Sequence, residues 1–294
     1  MKANDDEFYV GYLSSAPERT AAFVRKVVVF TGGFIGIIAI LLAWYQKKFS
    51  EATFEYGINS TVEGYYFDKP VPHIAVPLGL SKGGKELYQN VIVVGFGKAG
   101  GTDVMTRIQQ REGRSFIGSK IALTGFKIHG NGKALLQVTE EDNPSLDLRG
   151  KAILQAETID SLDIHSLSGE IVDPKCYFGV MKPGEGKAHR SCAIRCIAGG
   201  MPPVFHATNV GDYFLLVNEK GEPLNNEILD IVGDQITLKG KGLIWNDWKI
   251  LEVKTKDLES ITANHRLIEQ LKSFENGMTF CSDDVAMHTE QMSN

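Results

Sequence analysis

Three hydrophobic patterns follow one another along the chain. The first has no polar period at all. Val27 to Tyr45 runs nineteen residues without a charge, between Arg25-Lys26 and Lys47-Lys48. At ~1.5 Å per residue it reaches about 28 Å, the thickness of a hydrocarbon core. Trp44 and Tyr45 fall where an interfacial aromatic belt belongs. The run is too long for a secretory signal, and no small-x-small cleavage site follows it. It predicts one transmembrane helix over 27–46, entered through a helix start at Pro17-Glu18.

The second pattern is alternation, and it occurs twice. Ile117-Gly-Ser-Lys-Ile-Ala-Leu-Thr-Gly125 matches Val232-Gly-Asp-Gln-Ile-Thr-Leu-Lys-Gly240. The offset is 233 − 118 = 115 for the first glycine pair, and it holds for Gly125/Gly240, Asn131/Asn246, Leu136/Leu251 and Val138/Val253. Each copy reads as glycine, alternating strand, glycine, polar turn and a second alternating strand. The turns, His129 to Gly132 and Trp245 to Trp248, suit hairpins. More loosely, Val62-Glu-Gly64 pairs with Leu167-Ser-Gly169, and Val91 to Val94 with Tyr213 to Val217. About five short strands per copy, with little helix, predict two small β-barrels that hide their own edges.

The third pattern interrupts the second copy. Read as a helix from about Ala188 to Ile197, His189, Cys192 and Cys196 are spaced i, i+3, i+7 and share one stripe. Cys176 precedes them by a Gly- and Pro-rich turn able to fold it over that stripe. The predicted organisation is a tail over 1–26, the transmembrane helix over 27–46 and a first barrel module over 57–141. A linker over 142–165 leads to a second module over 166–261 with an insertion at 176–203. A helix (His265 to Glu275) and a polar tail containing Cys281 occupy 262–294.

Composition narrows the function classes. With 31 Lys+Arg against 36 Asp+Glu the net charge is −5, which argues against nucleic acid held on a broad basic surface. Positive charges flank the apolar run almost equally, so orientation follows the commoner arrangement: short tail inside, large domains outside. Phe8, Tyr9, Tyr12 and Leu13 give the tail an aromatic patch, suited to lipid headgroups or to a partner membrane subunit.

Val91-Ile-Val-Val-Gly95-Phe-Gly97-Lys-Ala-Gly100 is a strand followed by G-x-G-x-x-G. Taken alone it points to a dinucleotide. The next strand, Lys120 to Thr124, ends without the acidic residue that would hold a ribose, and the chain before Val91 is already strand-rich. The glycines are therefore expected to build a turn, with no nucleotide bound. His73, His129 and His206 are scattered and read as surface or capping residues, and Asp68 and Asp173 as turn residues. No Ser–His–Asp set, nucleophile elbow or H-E-x-x-H is present, so an enzyme is not the expectation.

Cys176, His189, Cys192 and Cys196 admit three chemistries. A Cys3His set fits tetrahedral zinc, or copper(I) through its three soft ligands. A disulfide from Cys176 to Cys192 or Cys196 would staple the insertion, whereas Cys192 and Cys196 at i, i+4 are badly placed to bridge each other. A redox-active or free thiol set is the third.

Cys176-Tyr-Phe-Gly179 with His189-Arg-Ser-Cys192-Ala-Ile-Arg-Cys196 resembles a motif of bacterial membrane-anchored envelope proteins, and the G-x-x-I-x-L-x-G strands resemble their tandem OB-fold modules. The resemblance implies a mainly β fold and a single-pass protein of the bacterial cytoplasmic membrane with periplasmic modules. It implies no activity. The expected function is a non-catalytic accessory or assembly subunit of a membrane complex, respiratory or otherwise redox, whose subunits are its partners. The alternatives are a zinc-, copper- or thiol-dependent envelope protein, and a ligand-binding barrel with an aromatic groove at Tyr65, Tyr66 and Trp245.

Overall fold

The computed structural model describes residues 16–46, 52–139, 141, 145–151, 159–162, 166–262 and 266. The aromatic tail segment, the predicted C-terminal helix apart from Arg266, and Cys281 lie outside the described residues. The chain divides into two compact units, Met1–Phe49 and Ser50–Asn294.

The first unit carries α1 (Glu18–Gln46). It starts directly after Pro17, whose carbonyl accepts the Ala21 N–H at 2.8 Å. It is long and apolar enough to cross a membrane. Phe30 and Ile40 are 79% and 70% exposed, whereas a core helix would bury such side chains.

The second unit is mainly β. Its first half holds β1 (Ala52–Phe67), β2 (His73–Leu80), β3 (Glu86–Gly95), α2 (Gly101–Glu112), β4 (Ser119–Gly130) and β5 (Lys133–Val138). β1 pairs with both β2 and β4, so the ladder β1-β2-β3-β5-β4 returns to its start. β3 and β5 are the parallel pair, Val91 beside Ala134. α2 was not anticipated from the sequence. Val104, Met105 and Ile108 place its one apolar stripe in the core with Phe116 and Leu123.

β6 (Ser145–Lys151) and β7 (Ile159–Leu162) come from the predicted linker, and they extend the two sheets by pairing with β4 and with a later strand. The second half follows with β8 (Leu167–Val172), a π-helix at Cys176–Val180, α3 (Arg190–Ala198), β9 (Val204–Ala207) and β10 (Asp212–Val217). A 3-10 turn at Asn226–Ile231 precedes β11 (Ile236–Leu238), β12 (Lys241–Trp245) and β13 (Trp248–Glu252). Its order repeats the first: β8-β9-β10-β13-β12, with β10 and β13 parallel. β11 pairs back to β8, while β12 pairs with β13 and β7.

The 115-residue repeat is visible atom by atom. Asn131 and Asn246 are the positive-φ non-glycine residues among those described, at 50° and 53°, and Gly118 and Gly233 both stand at 72°. A Cβ on Gly125 would strike the Gln137 carbonyl, and one on Gly240 the Glu252 carbonyl. Those two carbonyls are themselves 252 − 137 = 115 apart.

The halves pack on each other through a shared core. Val91 and Val93 face inward, whereas the alternate Ile92 and Val94 join Phe178, Leu215, Trp245 and Trp248 between the halves. Asn131 Nδ2 donates to Tyr213 Oη at 2.6 Å, and Asn246 Nδ2 donates to Asn90 Oδ1 at 2.9 Å. Tyr213 and Asn90 occupy matching places on β10 and β3, one residue before Phe214 and Val91. The contact is thus reciprocal, like a two-fold dimer interface within one chain.

Candidate metal centre

The second half differs from the first between its first two strands. Four residues link β1 to β2 beyond Asp68, whereas the matching link carries the whole cysteine-bearing insertion. After β8 the chain enters the π-helix, where the Tyr177 N–H bonds the Asp173 carbonyl at 2.9 Å and the Met181 N–H bonds Cys176 at 3.1 Å. A π turn of this kind sets Cys176 inward at the start of the insertion. The 182–188 turn is pinned where the Glu170 carboxylate accepts the Gly186 N–H, at 3.1 and 3.2 Å to its two oxygens.

α3 then lays Cys192 and Cys196 one helical turn apart. Arg190 bonds Asp234 at 2.7 Å and the Asp230 carbonyl at 2.6 Å, fixing the start of the helix. Asn225 Nδ2 caps its end, donating to the carbonyls of Ile197 at 2.6 Å and Met201 at 2.8 Å. The helix therefore cannot turn its cysteines away without breaking both ties.

The sulfurs of Cys176, Cys192 and Cys196 all lie within 4.8 Å of one another. Cys176 and Cys196 are buried and Cys192 is half-buried. All three are free thiols, so the disulfide from Cys176 to Cys192 or Cys196 is not formed. The helical frame holds the sulfurs at contact separations and not at the ~2.05 Å of a bond. A hydrogen bond with Cys196, then burial, then the Asp173 carboxylate push the Cys176 thiol far above its ordinary range.

His189 does not join that trio. It groups with Cys176 and with Asp173, each offering a ligand atom within 4.8 Å of the others. Burial lowers the His189 pKa, with Asp173 opposing and Lys98 adding to the shift. Asp173 does serve its turn, since Oδ1 accepts the Lys175 N–H at 2.9 Å. Its place beside Cys176 was not read from the sequence.

Two lysines complete the surroundings. Lys98 Nζ stands 3.4 Å from Cys192 Sγ. Lys175, buried, donates to the carbonyls of Gly95 at 2.9 Å and Gly97 at 2.7 Å. Burial lowers the Lys175 pKa, while Asp173, Cys196 and Cys176 oppose the shift.

The glycine fingerprint now has a place. Its Gly100 N–H, which a phosphate would need, donates to Gly199 O at 2.9 Å. The Gly95–Gly100 turn is the seat of the insertion. His73 is a core residue, stacked on Phe67 and edge-on to Trp245, and His129 pairs with Glu55 at 3.0 Å. His206 stacks on Tyr213 and meets Glu185 at 3.4 Å. Tyr66 and Trp245 are buried, so the expected aromatic groove does not open at those positions. No protein-family model, curated protein or solved structure matches this chain.

Proposed function

We propose that this is a membrane-anchored protein that holds a soft metal ion, copper(I) or zinc, on Cys176, Cys192 and Cys196. The observation that carries it is the convergence of three free thiols, two of them buried, within 4.8 Å. Such a set selects copper(I) or zinc over hard cations. Around it we read the two repeated ladders as OB-like barrels, supported by the order β1-β2-β3-β5-β4 with β3 and β5 parallel. α1 serves as the anchor in a bacterial cytoplasmic membrane, with the barrels on the periplasmic side.

Full-length protein purified in detergent without chelator should carry metal close to one ion per chain or more, with all three thiols reduced. Cys192→Ser should weaken copper(I) binding by more than about 100-fold, since even outer-shell partners are worth roughly 10–100-fold. Metal-free protein with a Cys176 disulfide would replace this reading with a structural staple.

A second reading, an accessory subunit of a membrane complex, is favoured by the β2–β3 hairpin. Leu78, Leu80 and Leu87 are all exposed there, an apolar tip of the kind that seeks a partner. Under it, mild solubilisation should bring down companion membrane proteins, and Leu80→Asp should release them. Wild-type protein that emerges alone and monomeric removes that role and leaves the metal reading standing.

A further inference from the structure

We infer that the centre takes two zinc-class ions, with the Cys176 thiolate shared between them. The inference rests on the soft-metal reading above and adds a second subsite made of Asp173, Cys176 and His189. Their ligand atoms lie within 4.8 Å of one another, and all three residues are buried. Cys176 is the residue common to this group and to the trio of cysteines.

Two atoms of the second group are unsatisfied. Asp173 Oδ2 and His189 Nε2 are buried, and neither has a hydrogen-bond partner. Asp173 is 0% exposed and His189 3%. Leaving such groups buried and unpaired opposes folding, so the fold has reason to fill the space between them. A carboxylate and an imidazole grouped with one sulfur are what a divalent borderline cation would satisfy. Thiolate sulfur has lone pairs enough to bind on both sides.

The two subsites differ in chemistry, and so in what they accept. Three sulfurs suit copper(I) and zinc alike. An oxygen, a nitrogen and one sulfur suit zinc but not copper(I), which is poorly served by carboxylate. The ratio of ions to chains should therefore depend on the metal supplied.

The test uses the full chain in detergent, stripped, reduced and reloaded anaerobically with zinc or with copper(I), followed by elemental analysis. Two zinc ions per chain and one copper(I) are expected. Asp173→Asn and His189→Ala should each bind one zinc and still one copper(I). The fluorescence of the buried Trp245 and Trp248 checks that the fold survives, and the near-isosteric Asp173→Asn keeps the test open if His189→Ala does not fold. Cobalt(II) reads the bridge directly, because a second equivalent coupled through a shared sulfur diminishes the electron paramagnetic resonance signal of the first. One zinc per wild-type chain, two zincs retained in a folded variant, or a cobalt signal that doubles would each overturn the second subsite. Binding of neither metal would instead remove the soft-metal reading beneath it.

Discussion

Trp248→Ala is expected to lower the stability of the whole Ser50–Asn294 unit by about 3–5 kcal/mol, the range for emptying a buried tryptophan site. Trp248 is fully buried in the core shared by the two halves. Its ring meets Phe178 edge-on at 5.9 Å and lies under Lys133 Nζ at 5.2 Å. Its Nε1–H donates to Asn90 O at 3.0 Å, so the truncation also strips a buried carbonyl of its partner. For a unit of this size the midpoint should fall by roughly 6–20 °C. The loss should appear in one thermal transition, because Ile92, Val94 and Leu215 from both halves share the cavity that forms. Two transitions, one still at the wild-type temperature, would show that the halves are held by something other than this core.

The repeated β architecture was legible because its determinants are local and recur at a fixed spacing. Gly118/Gly233 and Asn131/Asn246 are demanded by positive φ, and Gly125/Gly240 by a carbonyl that leaves no room for a Cβ. Such constraints leave the same letter at the same place in both copies. α2 was not legible, since Gly101–Glu112 carries one narrow stripe of Val104, Met105 and Ile108 in an otherwise polar segment. Its counterpart in the second half is a single 3-10 turn, so the repeat gave no warning of it. Nor could the pattern show that Val91 to Val94 is apolar throughout because one side faces its own core and the other faces the second half.

The centre was legible in part for the same reason. Cys192 and Cys196 sit on one helix, where spacing fixes direction. His189 was expected on that stripe, yet it is the residue before α3 and turns to Asp173 and Cys176 instead. Lys98 approaches Cys192 from 94 positions away, and no period in the chain relates them. Asp173 was hidden by an adequate local explanation, the turn it caps.

Gly100→Ala should weaken copper(I) binding by at least about 10-fold, although Gly100 offers no ligand and belongs to the other half of the unit; that is ~1.4 kcal/mol, less than overpacking usually costs. A methyl group there would collide with the Gly200 carbonyl, and Gly199 is itself packed against the Lys98 carbonyl. Relief requires the Gly95–Gly100 turn to move off the insertion. That breaks the Gly100 N–H to Gly199 bond and draws Lys98 away from Cys192. It also disturbs Lys175, which is anchored on Gly95 and Gly97. Competition with a copper(I) chelator gives the affinity, and amide exchange at residues 95–100 shows whether the turn has lifted. Gly83→Ala makes the control, since a Cβ there meets only Ser81 Oγ at 3.9 Å and should change stability by less than about 0.5 kcal/mol. If the Gly100→Ala protein folds, exchanges faster at the turn and still binds copper(I) as the wild type does, the insertion holds its thiols without help from the first half. If affinity and protection fall together, G-x-G-x-x-G in this chain is the seat of a cysteine centre, and the glycines are there because two backbones must touch.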